Sequence, residues 1–366
     1  MTIYNNDFTH DIVIGKQLNV KDSIIYFEWL HRQLENSKKI LWIIGLPSYP
    51  DLWNKTVTEK FNQLPSRPDK ILLNSSSDNY SIEMWNGLID ILLDLGYDKS
   101  QLLGIYSNCI SPISTIPCLA EFKLLNRYQF YENTSYTDIF SRKYKFLSLS
   151  GMPRPHKVVF TKELLIRNLQ DRGIITCGSI SGDYIKDKAN ILYDFLNLGE
   201  YKSQFPIIHD TEYSAVTDNE VYSPFLDARY NVVVESAFED YMNLKEHPDL
   251  SFFMFVGPEA FVTEKTTKAF GFYQIPVFVS VKGYVEEVRK LGFDVFDDIV
   301  DHSYDKIDDP YQRMVSVANE VERLVNIDLP DYNLKDRLIK NHDIMKELYF
   351  KQKQHVSLEI LKWFNQ

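Results

Sequence analysis

The sequence predicts an α/β protein made of two parallel-sheet units and a terminal helical segment. Three observations carry that expectation. Short apolar runs alternate with stretches of helical spacing through most of the chain. A loop rich in Gly and Pro, Gly151 to Pro155, interrupts the pattern near the middle. From about residue 309 on, only helical patterns remain.

In "KKILWIIGLP" the run Ile40 to Gly45 is continuously apolar and reads as a strand. "DKILLNSSS" is a second, ending in a polar loop at Asn74 to Ser77. "SIEMWNGLIDILLDLGY" places Ile82, Trp85, Leu88, Ile89 and Leu92 on one helical face, with Gly96 just past its end. "QLLGIYSN" is a third strand. Strand, loop, helix and strand in this order predict a parallel sheet with crossover helices.

Tyr144 to Leu149 is the next strand, broken by Gly151, Pro153 and Pro155. "KVVFTKELLIRNLQDRG" then reads as a helix stopped by Gly173, and "GIITCGSISG" as a strand. Residues 183–225 give two or three helical or irregular pieces. "RYNVVVESAF" is strand then loop, "SFFMFVG" a strand or part of a helix-bearing insert, "PVFVS" a buried strand and "KGYVEEVRKLGF" a helix. "PYQRMVSVANEVERLVN" and Leu334 to Phe364 close the chain as helices. The expected division is 1–140, 141–330 and a C-terminal helix, 331–366, bracing the first unit.

Composition narrows the function classes. The 366 residues suit two domains, and an apolar fraction of 44% with 25% charged residues is that of ordinary globular cores. A net charge of -11 argues against a general nucleic-acid coat, although a local basic groove remains compatible with it. Cys109, Cys118 and Cys177 form neither a C-x-x-C pair nor a disulfide framework, which points to a reduced, cytoplasmic setting. "MTIYNNDFTHDIVIG" lacks a basic, then apolar, leader pattern. No run reaches ~18 apolar residues, so no membrane span is expected. The 8 histidines are dispersed, with no H-E-x-x-H, so no metal site is expected; P-loop, G-x-S-x-G and dinucleotide glycine patterns are absent too.

Three constellations could carry chemistry. In "NVVVESAF" a β-branched run delivers Glu235 and Ser236 to the carboxyl end of a strand, where open parallel sheets bind ligands. The alternative is a helix cap or a solvated acid. In "FVTEKTTKAFGFYQIPVFVS" Thr263 can cap a helix whose first-turn amides meet an anion. Lys265 and Lys268 supply positive charge there, and Glu264 can accept from vicinal hydroxyls such as those of a ribose. The alternative is a capped surface helix. In "SGMPRPHK" Arg154 offers a planar fork for phosphate, with His156 and Lys157 beside it at a helix start. Residues 142–172 are the densest basic segment; solvated lysines are the alternative there.

Taken together, "VVVESAFED" followed by "FVTEKTTKAFGFYQIPVFVS" resembles the donor-binding half of GT-B glycosyltransferases, closest to the α-1,3-fucosyltransferase type. Glu235-Ser236 matches the Glu-Asn-Ser-like stretch, Thr263-Glu264-Lys265 the Thr-Glu-Lys helix, Pro276-Val277 the strand after it, and Arg154 the arginine before the first helix of that domain. The resemblance spans roughly residues 144–300. The family's Asn is missing between Glu235 and Ser236, and the insert Glu239 to Pro258 is this chain's own, so fucose and guanine do not carry over. The resemblance implies two Rossmann-like domains facing a central cleft, with C-terminal helices crossing back. It also implies a UDP- or GDP-linked sugar donor, held by Arg154, Lys157, Glu235, Ser236, Thr263, Glu264, Lys265 and Lys268, with cations in place of a metal. The donor is a co-substrate, so no cofactor is expected.

"FLSLSGMPRPHK" and "GFDVFDDIVDHSYD" also look like blocks of tailed-phage glycosyltransferases. This implies 5-hydroxymethylcytosine in double-stranded DNA as an acceptor, inside a host cell. A glycan or lipopolysaccharide acceptor, or a non-catalytic DNA- or glycan-binding module on the same fold, are the alternatives. For the proton-accepting group, Asp51, Asp78 and Glu83 follow strands of the first unit and are the candidates; each reads equally as a helix cap or surface acid.

Overall fold

The computed structural model describes residues 2–7, 13–14, 40–45, 58, 62, 67–74, 82–107, 116–121, 134–178, 183–207, 223–236, 238–239, 241–243, 246–247, 250, 260, 262–329 and 333–366. The protein is mixed α/β with parallel sheets and helices. It divides into two compact units: Met1–Asn126 with Glu347–Gln366, and Arg127–Lys346. The division falls between Asn126 and Arg127, where the sequence reading set it near residue 140.

The first unit holds a sheet of six strands. These are β1 (Thr2–Asp7), β2 (Val13–Ile14), β3 (Ile40–Gly45), β4 (Lys70–Asn74), β5 (Leu102–Ser107) and β6 (Cys118–Glu121). Their order is β2-β1-β3-β4-β5-β6, parallel except for the antiparallel β1–β2 pair. Sequence patterning missed β1, β2 and β6. The run "TIYNND" is too polar to read as a buried strand, and its pairing with Ile40–Gly45 is long-range. Helix α1 (Ile82–Asp94) ends as its sequence predicts. Gly96 has φ +85°, and its N–H donates to Leu93 O at 2.9 Å.

The second unit holds four parallel strands: β7 (Tyr144–Ser150), β8 (Gly173–Cys177), β9 (Ala228–Val234) and β10 (Ile275–Val279), in the order β10-β9-β7-β8. Every residue of β8 and β10 is buried, as a sheet covered on both faces requires. Its helices are α2 (Pro155–Ile166), α3 (Asp183–Phe195), α4 (Ser223–Asp227), α5 (Glu264–Gly271), α6 (Tyr284–Lys290) and α7 (Pro310–Asn326). The last helix, α8 (Leu334–Asn365), belongs to the first unit from Glu347 on. None of the described helices is long and apolar enough to cross a membrane.

Two local readings change. Helix α2 starts earlier than expected, with Pro155 at its first turn, where a missing N–H costs nothing. It also stops earlier, at Ile166. Asn168 takes φ +53°, its N–H donates to Leu165 O, and the Leu169 N–H donates to Leu164 O. Gly173 is therefore not the helix stop. It opens β8, and a Cβ there would lie 2.4 Å from the Phe146 ring. The stretch "SFFMFVG" lies outside the described residues.

The strand order fixes where a ligand can sit. β7 is followed by β8 on one side, and the chain then crosses back to place β9 on the other side. The carboxyl ends of β7 and β9 thus flank a topological switch point, the preferred ligand crevice of such sheets. The first unit's order also turns back at β1, between β2 and β3, but its β1–β2 pair is antiparallel, and from β3 to β6 the strands run in chain order.

Candidate anion site at the switch point

β7 ends at Ser150, and β9 runs into Glu235 and Ser236. Arg154, the cap residue of α2, makes no side-chain cap. Its guanidinium instead spans the switch point, Nη1 donating to Ser236 O at 2.5 Å. One residue into the helix, the His156 ring lies 2.9 Å from Glu235 O through Nε2. A carbonyl only accepts, so Nε2 carries the proton. The ring stacks on Phe238, centroids 4.8 Å apart at 10°. Burial holds His156 well below the ordinary histidine range, and the charges of Lys157, Arg154 and Lys265 push the same way, against the hydrogen bond to Glu235.

Helix α5 contributes from the other side. Thr263 caps it, Oγ1 accepting from the Lys265 N–H at 3.3 Å, as its sequence predicts. The Lys265 ammonium donates to Ser236 Oγ at 3.0 Å and to Thr263 Oγ1 at 3.3 Å. Arg154 and Lys265 therefore meet on the same residue, Ser236, one at its carbonyl and one at its hydroxyl. Two helix N-termini and two partly buried cations converge there, which favours a bound anion. Two more hydroxyls at this edge, Ser150 Oγ and Ser280 Oγ, are buried with no hydrogen-bond partner among the described residues.

Glu235 has a different place from the one its sequence suggests. It is fully buried. Its carboxylate accepts from Thr263 N at 3.1 Å, Thr266 Oγ1 at 2.6 Å, Tyr284 OH at 3.0 Å, Ser236 N at 3.3 Å and, closely, Thr263 Oγ1. Its oxygens are used up inside the fold, so it ties β9 to α5 and α6 and does not reach a ligand.

Of the other expected residues, Lys157 is 3% exposed, packed within α2. Lys268 does not join the cluster: its ammonium lies over the Phe225 ring, 5.7 Å away, and Phe225 precedes β9, at the end of that strand remote from Glu235. The helical repeat explains the correction. Lys268 is three residues beyond Lys265, nearly a full turn towards the amino ends of the strands. The side chains of Glu264 and Glu83, and residues Asp51 and Asp78, lie outside the described residues. Sequence reasoning missed Thr266 and Tyr284. Thr266, three residues after Thr263, was legible as the same helical face. Tyr284 lies 49 positions from Glu235 and gave no local signal.

The basic segment 142–172 does not form one surface. Arg142 is buried and donates to the carbonyls of Ala228 and Phe272, Arg167 pairs with Glu163, and Arg172 donates to Val325 O. A concavity of about 640 Å³ elsewhere in this unit includes Arg289, Asp297, Asp298 and Arg323. These groups are engaged in ion pairs, Arg289 with Asp297, Asp298 with Arg337 and Arg323 with Glu320. No group of side chains suited to a metal ion occurs among the described residues. No family model, no curated protein and no solved structure matches the chain.

Proposed function

We propose that the protein is a glycosyltransferase of GT-B architecture. It moves a sugar from a nucleoside-diphosphate sugar to an acceptor hydroxyl. The observation that carries the reading is the convergence of Arg154 and Lys265 on Ser236, between the N-termini of α2 and α5, at the switch point of a parallel sheet. A diphosphate placed there meets two cations and two helix dipoles, the charge compensation a departing nucleoside diphosphate needs. Cationic side chains would take the role a metal has in other enzymes of this chemistry.

In this mechanism the acceptor hydroxyl attacks the anomeric carbon. The bond from that carbon to the diphosphate oxygen breaks, and the nucleoside diphosphate leaves with the electron pair. A carboxylate of the first unit takes the hydroxyl proton, for which Asp51, Asp78 and Glu83 are the sequence candidates. 5-Hydroxymethylcytosine in DNA is the acceptor proposed on the phage resemblance. The dispersal of the 142–172 cations means that these residues do not build a continuous DNA track.

The test is a thermal-shift and mass-spectrometric screen of UDP, GDP and their sugars, with and without hydroxymethylated DNA. Stabilisation by a nucleoside diphosphate that Arg154→Ala and Lys265→Ala each weaken is the expected result. No stabilisation of the wild type by any of these compounds sinks the reading. Binding without transfer or hydrolysis selects the non-catalytic module instead.

A further inference from the structure

We infer that Glu235 is a positioning residue of this anion site, setting α5 and the Lys265 ammonium without touching the ligand. The inference rests on the nucleotide reading above. Each of the five contacts to the Glu235 carboxylate comes from an N–H or a hydroxyl, so the group serves wholly as an acceptor. The donors come from three places in the fold: the end of β9, the first turn of α5 and the start of α6.

The consequence for Lys265 follows from the protons. Thr263 has one hydroxyl proton, and Glu235 takes it. Thr263 Oγ1 is thereby left only lone pairs, and it offers them to the backbone N–H and the ammonium of Lys265. The ammonium is thus held between Thr263 Oγ1 and Ser236 Oγ before any ligand arrives. Tyr284 and Thr266, also in mutual contact at 2.8 Å, fix the other carboxylate oxygen. Glutamine at this position would turn an N–H₂ towards groups that are themselves donors. Thr263 would then rotate and lose its hold on Lys265.

The experiment measures UDP and GDP affinity by calorimetry on the full chain. The proteins are wild type, Glu235→Gln, Lys265→Ala, the double variant, and Tyr284→Phe as the milder change. Glu235→Gln is expected to weaken binding about tenfold or more, and the double variant to be no weaker than Lys265→Ala by more than about threefold, because both act through one ammonium. Tyr284→Phe is expected to weaken binding about threefold. Combined with Lys265→Ala in a second double variant, it carries the comparison should Glu235→Gln fail to fold. A purely structural role predicts independent, additive losses. Additive losses, or unchanged affinity in Glu235→Gln, overturn the inference while the nucleotide reading stands. Absence of binding by wild type overturns the nucleotide reading and the positioning role with it.

Discussion

His156 should make the second unit acid-sensitive, with a direction and a limiting slope that follow from its surroundings. The imidazole is buried, stacked on Phe238, and donates to Glu235 O through Nε2. Protonation keeps that hydrogen bond, since Nε2 still donates. What it costs is a buried charge beside Lys157, Arg154 and Lys265, so the folded ring stays neutral well below the ordinary histidine range. The unfolded chain takes the proton near pH ~6.5. Below that value the unfolded state holds a proton that the folded state refuses. The stability is therefore present above pH ~6.5 and is lost as pH falls. The loss runs at no more than about 1.4 kcal/mol per pH unit below that value for this one ring.

His302 is also depressed by burial and adds loss in the same direction. The raised carboxyl of Asp305 acts oppositely, gaining stability as pH falls through its folded value. A comparison with His156→Gln cancels both. Gln keeps an N–H for Glu235 O and does not titrate. Losing the stack on Phe238 lowers the whole curve, and losing the titration changes only its slope. Denaturant unfolding at constant ionic strength, in steps from pH ~7.5 to pH ~5, should show the variant losing less stability than wild type, by no more than about 1.4 kcal/mol per pH unit below pH ~6.5. Parallel curves would refute the argument. A nucleoside diphosphate held beside Arg154 and Lys265 should shrink the wild-type loss, because its charge favours the imidazolium.

Three further outcomes are expected. Gly173→Ala should destabilise by about 1–3 kcal/mol, read by denaturant unfolding, because its methyl would enter the buried Phe146 ring. Lys268→Ala should leave nucleotide affinity within about twofold of wild type in the same calorimetry, since its ammonium lies over Phe225 and not at Ser236. In the first unit, Lys70→Met should cost about 1–3 kcal/mol and change Trp363 fluorescence. It leaves Trp363 O without the ammonium 2.9 Å away and removes the cation over the indole at 4.8 Å.

The sequence by itself determined the α/β class, because apolar runs of strand length and helices of regular spacing are local patterns. Ile40–Gly45, Lys70–Asn74, Gly173–Cys177 and Ile275–Val279 were legible as strands for that reason. It also determined the Thr263 cap, which needs only a hydroxyl two residues before the amide it accepts from. Tertiary structure decided the rest. The polar strand Thr2–Asp7 exists because Ile40–Gly45 offers it a ladder, which no window of its own residues reveals. Two candidate ligand residues were sorted the same way. Glu235 and Lys268 carry the charges a nucleotide site could use. The fold turns one inward to four side-chain and backbone partners on α5 and α6 and the other towards Phe225. Residue type sets what a side chain can do, and only the crossing of β9 to the far side of β7 sets which of them share a site.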